Sequence, residues 1–479
     1  MAGVAEQKHN RNHSVHSRQP DFARQTAAQV LYAVYENQAY ANLSIRQQLD
    51  DPRLSSLDRR FATALIYETL SRTYTIDWVI GQISDRPIDR LDPWVRVILR
   101  MGVWQLIWSR SIPQSAAIDQ SVRLTYLFSG RSATGFVNAV LRKLTRQPVT
   151  VPPSDGPLQT GIKPELYGCL RKWYGEKEAL ALGEAFLRAD TAVTVRINPL
   201  KTDQETLLRA LSEQGIEAVP GRYCPEALSI QLNGQPIAQL SAYQDGWISV
   251  QNEAAMLVAY AARPQPDSLI IDLCAAPGGK ICHLAEKLDN RAQFLAFDIH
   301  AGRLQLIADQ AARLGLADSI QCFQANAVPL ADQTSDDCLI NWTGQADLVL
   351  ADVPCSGLGL LGRKPEIRLT MTYQRMREFE PLQAAILDRA AGLVKPGGVI
   401  IYSTCTINPA ENIDQIKAFL NRWQGRFQLE SLLDDLPPSL LEKTNLFEEA
   451  RSGSIQLLPH RHATDGFFIA RLRKERTTA

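Results

Sequence analysis

The chain has 479 residues, long enough for about three domains at roughly 150 residues each, and 45% of them are hydrophobic, which supports well-buried cores. Its 51 Lys and Arg balance 51 Asp and Glu, so no global charge signal points to a polyanionic partner. Eight cysteines stand at 169, 224, 274, 282, 322, 338, 355 and 405, with no C-x-x-C pair and no Cys/His cluster at zinc spacing, which argues against a structural metal.

Residues 1–19 are polar, lack the apolar core of a signal peptide and are expected to be disordered. From 20 to 147 the pattern is helical. Ala23, Ala27, Val30, Leu31 and Val34 recur at helical spacing. Pro93 opens an apolar run through Trp94, Val97, Ile98, Met101, Trp104 and Trp108, expected to be the buried central helix. Arg96, Arg100 and Gln105 interrupt it well short of a membrane span. Phe136, Val140 and Leu144 form a further stripe. Residues 1–150 hold 19 Lys and Arg against 12 Asp and Glu. Such a basic front fits a nucleic-acid partner, and an ordinary solvated helical surface explains it as well. The chain reads as cytoplasmic, with reduced thiols.

Residues 148–161 are rich in Pro and Gly and read as a linker. From 162 to 250 a helical stretch, a short β run at 192–197 and a helix at 206–214 suggest a small α+β module. From 251 to 475 apolar runs alternate with helical patterns, as in a doubly wound sheet. The strand candidates are 268–273, 293–297, 319–324, 346–350, 399–403 and 467–472, with helices at 304–314 and 382–393 between them.

The first of these strands runs into Asp272-Leu273-Cys274-Ala275-Ala276-Pro277-Gly278-Gly279-Lys280. Gly278 and Gly279 permit close approach of backbone to a ligand. A Walker A loop is excluded, because Ile281 and not Ser or Thr follows Lys280, and the G-x-G-x-x-G spacing is absent. Asp298 ends the second strand, where an acidic residue holds ribose hydroxyls. Turn and acid together favour a nucleoside cofactor. Cys355 in Asp352-Val353-Pro354-Cys355-Ser356-Gly357 and Cys405 in Ser403-Thr404-Cys405-Thr406 end two strands at the expected ligand edge. One buried cysteine is commonly a small hydrophobe; two at a ligand edge point to covalent chemistry. Beyond Cys405, Asn408-Pro409-Ala410-Glu411 reads as an N-cap, a first-turn proline and a capping-box glutamate, a helix start whose dipole would favour a thiolate.

These residues resemble the Sun/RsmB family of bacterial 16S rRNA cytosine-C5 methyltransferases. The resemblance covers nearly the whole chain from residue 20. Cys274, Ala275, Ala276, Pro277, Gly278, Gly279 and Lys280 look like the S-adenosylmethionine motif, and the runs around Cys355 and Cys405 like the two cysteine motifs. Asp465-Gly466-Phe467-Phe468 is similar to the closing strand, and Phe136-Val137-Asn138-Ala139-Val140-Leu141-Arg142 to the NusB-type RNA-binding domain. The resemblance implies a multidomain fold. An all-α NusB-like domain comes first, then a small α+β RNA-binding module, then an α/β Rossmann-like class I methyltransferase domain with a mostly parallel seven-stranded sheet. It also implies S-adenosylmethionine as cofactor, 16S rRNA as partner and a monomer. Cys405 would be the nucleophile that attacks carbon 6 of cytosine, and Cys355 would assist loss of the carbon 5 proton or product release. Asp298 would hold the ribose, Asp352 the base and the methyl end of the cofactor, and Lys280 would sit near the same pocket. Asn326 stands where relatives carry an adenine-side Asp, and Asn252 departs from a usual Asp as well. A tRNA or DNA cytosine methyltransferase, or a non-catalytic RNA-binding antitermination factor, are the rivals. The NusB-like front argues against the first pair, and the intact Cys405, Cys355, Asp352 and Lys280 against the last.

Overall fold

The computed structural model describes residues 20–37, 41, 45, 48–188, 192–328 and 338–476. The tail expected over 1–19 lies outside the described residues. The chain divides into two compact units, Met1–Pro152 and Pro153–Ala479.

The first unit is helical throughout its described residues, with α1 (Phe22–Asn37), α2 (Ser56–Ser71), α3 (Thr73–Ile83), α4 (Pro93–Ile107), α5 (Gln114–Ser129) and α6 (Arg131–Arg146). Ser55 and Asp58 close a reciprocal capping box at the start of α2. The Asp92 carboxylate accepts the N–H groups of Trp94 and Val95 and, with Pro93 in the first turn, starts α4. Val95, Val97, Ile98, Leu99, Met101, Val103 and Trp104 are all buried, so α4 is the central helix its apolar density predicts. Gly102 lets α6 pack closely there, since a Cβ would lie 2.9 Å from the Leu141 side chain. Trp94, placed by its spacing in the buried run, is half-buried and stacks between Tyr32 and Phe128, each ring centroid 4.0 Å away. The buried stripe of α6 is Val137, Val140, Leu141 and Leu144. Phe136 falls to its edge, where the Arg86 guanidinium covers the ring at 5.3 Å.

The second unit opens inside the segment expected as a linker. Asp155 caps α7 (Gly156–Thr160), and α8 (Pro164–Tyr174) and α9 (Glu176–Leu187) follow. Pro157 starts α7 and Gly161, at φ +67°, ends it. The residues that read as linker chemistry are the punctuation of a helical turn. Thr160 is fully buried, and a Cβ on Gly183 of α9 would come within 2.2 Å of it. Next come β1 (Val193–Ile197), α10 (Gln204–Glu213), β2 (Glu217–Pro220), β3 (Ala227–Gln231) and β4 (Ile248–Val250), an antiparallel sheet in the order β2-β3-β1-β4.

The large sheet follows α11 (Glu253–Ala262). Its elements are β5 (Leu269–Asp272), α12 (Gly279–Lys287), β6 (Gln293–Asp298), α13 (Ala301–Leu314), β7 (Ile320–Gln324), β8 (Ala346–Asp352), α14 (Tyr373–Leu393), β9 (Val394–Thr404), α15 (Ile413–Arg422), β10 (Phe427–Leu429), β11 (Ser454–Leu457) and β12 (Phe467–Lys474). Seven strands form one path, β10-β12-β9-β8-β5-β6-β7, and β11 adds an eighth beside β12. From β9 to β7 all pairings are parallel; β12 runs antiparallel to β9. Successive strand residues face opposite sides. Ile270 accordingly packs with Leu257, Leu284 and Ile307 on one face, and Ile271 with Ile386, Leu387 and Phe419 on the other. The helix expected from 382 begins at Tyr373, with Thr372 as its cap, and runs through Pro381. The added turns bury Met376 against Leu358 and Leu361. The chain leaves β5 for β6 on one side, and β8 lies on the other. This reversal opens a crevice at the carboxyl ends of the strands.

Candidate active site

Three aspartates end strands at that crevice: Asp272 on β5, Asp298 on β6 and Asp352 on β8. The turn after β5 is pinned to β6, since the Ala275 N–H donates to the Phe297 carbonyl at 2.9 Å. Gly278 has φ +100°, which L side chains avoid, and a Cβ there would sit 3.2 Å from Ile307. α12 begins at the next residue, and Arg196 donates to the Gly279 carbonyl at 3.0 Å.

Asp272 is buried, and its carboxylate accepts the Cys274 N–H at 3.2 Å. Burial, with Asp352 and Asp298 near and Lys280 opposing, pushes its pKa up to about 7. Asp298 is also buried; it accepts the His300 N–H at 3.0 Å and lies 3.4 Å from half-exposed Arg303. Burial and the neighbouring Asp272 push the Cys274 thiol up, which disfavours its thiolate. Asn326 follows β7 and spends its side-chain oxygen on the Val328 N–H at 3.0 Å, a bond an aspartate would make equally. Asn252 caps α11, accepting from the Ala254 N–H and from the Thr464 hydroxyl, both at 2.9 Å.

Lys280 Nζ lies 2.6 Å from Asp352 Oδ2, and Ser403 donates its hydroxyl to Asp352 Oδ1 at 2.7 Å. Ser403 can do so because β8 and β9 pair Asp352 with Ser403 in register. Phe467 of β12 lies under Lys280, its ring centroid 5.4 Å from Nζ. Asp272, Asp298 and Asp352 meet Lys280 and Arg303 at this edge, which offers carboxylate acceptors to the hydroxyl groups of a ligand.

The two thiols touch, with Cys355 Sγ 3.4 Å from Cys405 Sγ. The loop beyond Cys355 folds back so that the Gly359 N–H donates to the Cys405 carbonyl at 3.1 Å, and Gly466 donates to the Gly359 carbonyl at 3.0 Å. A Cβ on Gly359 would stand 1.9 Å from the Gly466 oxygen, so only glycine allows this crossing. The pair is electrically unequal. The hydrogen bond from Cys355 and the charges of Lys364 and Lys280 pull the Cys405 pKa below that of a free thiol, against burial and Asp352. The bond to Cys405, burial, and the charges of Cys405 and Glu411 push the Cys355 pKa well above it. This asymmetry favours the thiolate at Cys405 over Cys355.

The helix start expected after Cys405 is different. Asn408 accepts the Ala410 N–H, as an N-cap does, but the helical piece is a three-residue 3-10 turn, Pro409–Glu411, and α15 starts later. Glu411 closes no capping box. Its carboxylate turns inward to Ser356, so the lysines and Cys355, and no helix dipole, favour the Cys405 thiolate. Sequence reasoning missed Ser403, Lys364 and Glu411 as site residues. Ser403 lies inside the run around Cys405, Lys364 lies beyond the run around Cys355, and the local pattern at Glu411 reads as a cap. Among the described residues no group of His, Cys, Asp and Glu could hold a metal ion.

Comparison with known proteins matches three stretches: residues 22–146 to the NusB family, 166–236 to a ferredoxin-like domain of RsmF/B-like methyltransferases, and 259–473 to 16S rRNA methyltransferase RsmB/F. A probable ribosomal RNA small subunit methyltransferase B of Synechocystis is 34% identical across 94% of this chain and 99% of its own. Its namesake in Bacillus subtilis is 33% identical over 94% and 98%. A solved structure of a methyltransferase homolog from Pyrococcus horikoshii is 25% identical, with TM-score 0.54 over 68% of this chain and 100% of its own.

Proposed function

This chain belongs to the ribosomal RNA small subunit methyltransferase B family, and on that premise we propose that it methylates carbon 5 of a cytosine in 16S rRNA through a covalent Cys405–cytosine adduct. The observation that carries the reading is the contact of two unequal thiols at the cofactor edge of the sheet. S-adenosylmethionine, when bound, supplies an electrophilic methyl group on a sulfonium cation. The 274–280 turn would hold it, with Asp298 on the ribose, Asn326 on the adenine side, and Asp352 toward its methyl end. The Asp352 carboxylate at this edge is compatible with that positive charge.

Carbon 5 of cytosine is a weak nucleophile. The Cys405 thiolate adds to carbon 6, the electron pair of the 5,6 double bond moves to carbon 5, and carbon 5 takes the methyl group, the electrons of the broken methyl–sulfur bond staying on the donor sulfur as a neutral thioether. Lys280 and Asp352 orient the base. Once Cys405 is bonded to carbon 6, its negative charge is gone and with it the leading reason for Cys355 to keep its proton. Cys355 can then give its proton to water, accept the carbon 5 proton, and let the carbon 6–sulfur electrons return to Cys405 as the product leaves. Reaching carbon 6 requires an unstacked base, which costs a few kcal/mol in a duplex and less in a loop. The basic NusB-like unit supplies phosphate contacts, so RNA affinity should fall with salt.

This reading places the protein in the cytoplasm as a monomer. Among the described residues no helix is long and apolar enough to cross a membrane. Bisulfite sequencing of small-subunit rRNA from a deletion strain tests it: one cytosine should lose protection. If every methylated cytosine persists, the rRNA assignment fails.

A further inference from the structure

The carboxylate of Glu411 is fully buried and belongs to neither the cofactor turn nor the thiol pair. Its Oε2 accepts the Ser356 N–H at 2.8 Å and the Gln383 amide at 3.0 Å. Its Oε1 accepts the Asn408 amide at 2.9 Å and the Ser356 hydroxyl. These four donors match the four acceptor positions of an ionised carboxylate and oppose the burial that raises the Glu411 pKa. The Gln383 amide also donates to the Pro354 carbonyl at 3.0 Å, and Thr406 meets the Ser356 hydroxyl at 2.7 Å. Pro354 and Ser356 flank Cys355; Thr406 and Asn408 follow Cys405. One carboxylate therefore joins the two segments that carry the thiols, across 55 residues of sequence. Tyr402 fixes the backbone of Glu411 itself, donating to its carbonyl at 2.6 Å.

We propose that Glu411 is a positioning residue for the covalent step, its buried carboxylate tying the Cys355 loop to the turn after Cys405 and so holding the thiols in contact. The proposal rests on the assignment of Cys405 as nucleophile. Two effects follow from one group. The tie keeps the Cys355 sulfur where it donates to Cys405, and the negative charge favours the protonated form of Cys355. A glutamine at 411 keeps the shape but presents an amide N–H to donors, so the tie loosens as the charge disappears. Cys405 then loses its proton donor while Cys355 loses the charge that holds its proton, and the two thiols become more alike.

The test is pH-dependent alkylation of Cys355 and Cys405, read separately by mass spectrometry, in the full chain and in Glu411→Gln. In the parent chain Cys405 should react at lower pH than Cys355. In Glu411→Gln the two profiles should converge by about one pH unit or more. Methyl transfer by that variant should show kcat lowered at least about tenfold with KM for RNA nearly unchanged. Ser356→Ala keeps the charge and removes one donor, so it should shift the profiles the same way by less, and it serves where Glu411→Gln does not fold. Unchanged profiles in a folded variant would overturn the proposal. The alkylation arm needs neither RNA nor methyl donor, so it stands or falls separately from the rRNA assignment.

Discussion

Two of the ion pairs that α12 carries are built for opposite purposes. Near its carboxyl end Glu286 meets Arg196 of the small sheet through two bonds of 2.7 Å, with side chains 1% and 0% exposed. At its start Lys280 meets Asp352 at 2.6 Å, with side chains 16% and 27% exposed, open to the crevice and near Cys405. The sealed pair joins β1 of the small sheet to α12 and is closed to solvent. The open pair has one carboxylate oxygen held by Ser403 and a lysine free to reorganise around what enters. Burial distinguishes a charge that holds the fold together from a charge that acts on a ligand.

The comparison breaks most visibly at Arg196. Arg196→Met leaves Glu286 buried without its partner and should lower unfolding free energy by about 3–5 kcal/mol, measured by urea denaturation. Lys280→Met should cost only on the order of 1 kcal/mol in the same experiment, yet lower methyl transfer at least about a hundredfold. Equal stability losses for the two variants would erase the distinction. The acidic edge gives a subtler, pH-dependent test. A buried carboxyl with a raised pKa favours folding in its protonated form. That contribution is full below an unfolded value near 3.9 and is lost as pH rises through about 7. Asp272→Asn should therefore gain stability relative to the parent between pH 4 and pH 8, by about 1.4 kcal/mol per unit of pKa difference removed. A difference that does not vary with pH would show that Asp272 is ionised throughout.

Much of the second unit was legible in the chain. The apolar runs ending in Asp272, Asp298 and Asp352 are strands because each is buried on both faces between helices, and such runs stand out without alternation. β10 and β11, three and four residues long, carry too little pattern to be read. The Pro and Gly of 148–161 signal backbone turns, and the same chemistry serves a linker or a packed helical turn; only Thr160 under α9 decides between them. Both cysteines were legible as candidates, since each follows a strand, Cys355 in the loop beyond β8 and Cys405 directly after β9. Their inequality was not, because the groups that create it meet only in the fold. Lys280, Lys364 and Glu411 reach the thiols from separate segments. Glu411 shows the limit most plainly: its local pattern matches a capping box, and a partner 55 residues away takes the carboxylate instead.

The central claim is the division of labour between the thiols, and trapping of covalent protein–RNA complexes tests it most directly. With 16S rRNA and S-adenosylmethionine, Cys355→Ser should accumulate a denaturation-resistant complex, because the adduct forms and its release stalls. Cys405→Ser should form none. A complex that persists in Cys405→Ser and vanishes in Cys355→Ser would contradict the account and exchange the two roles.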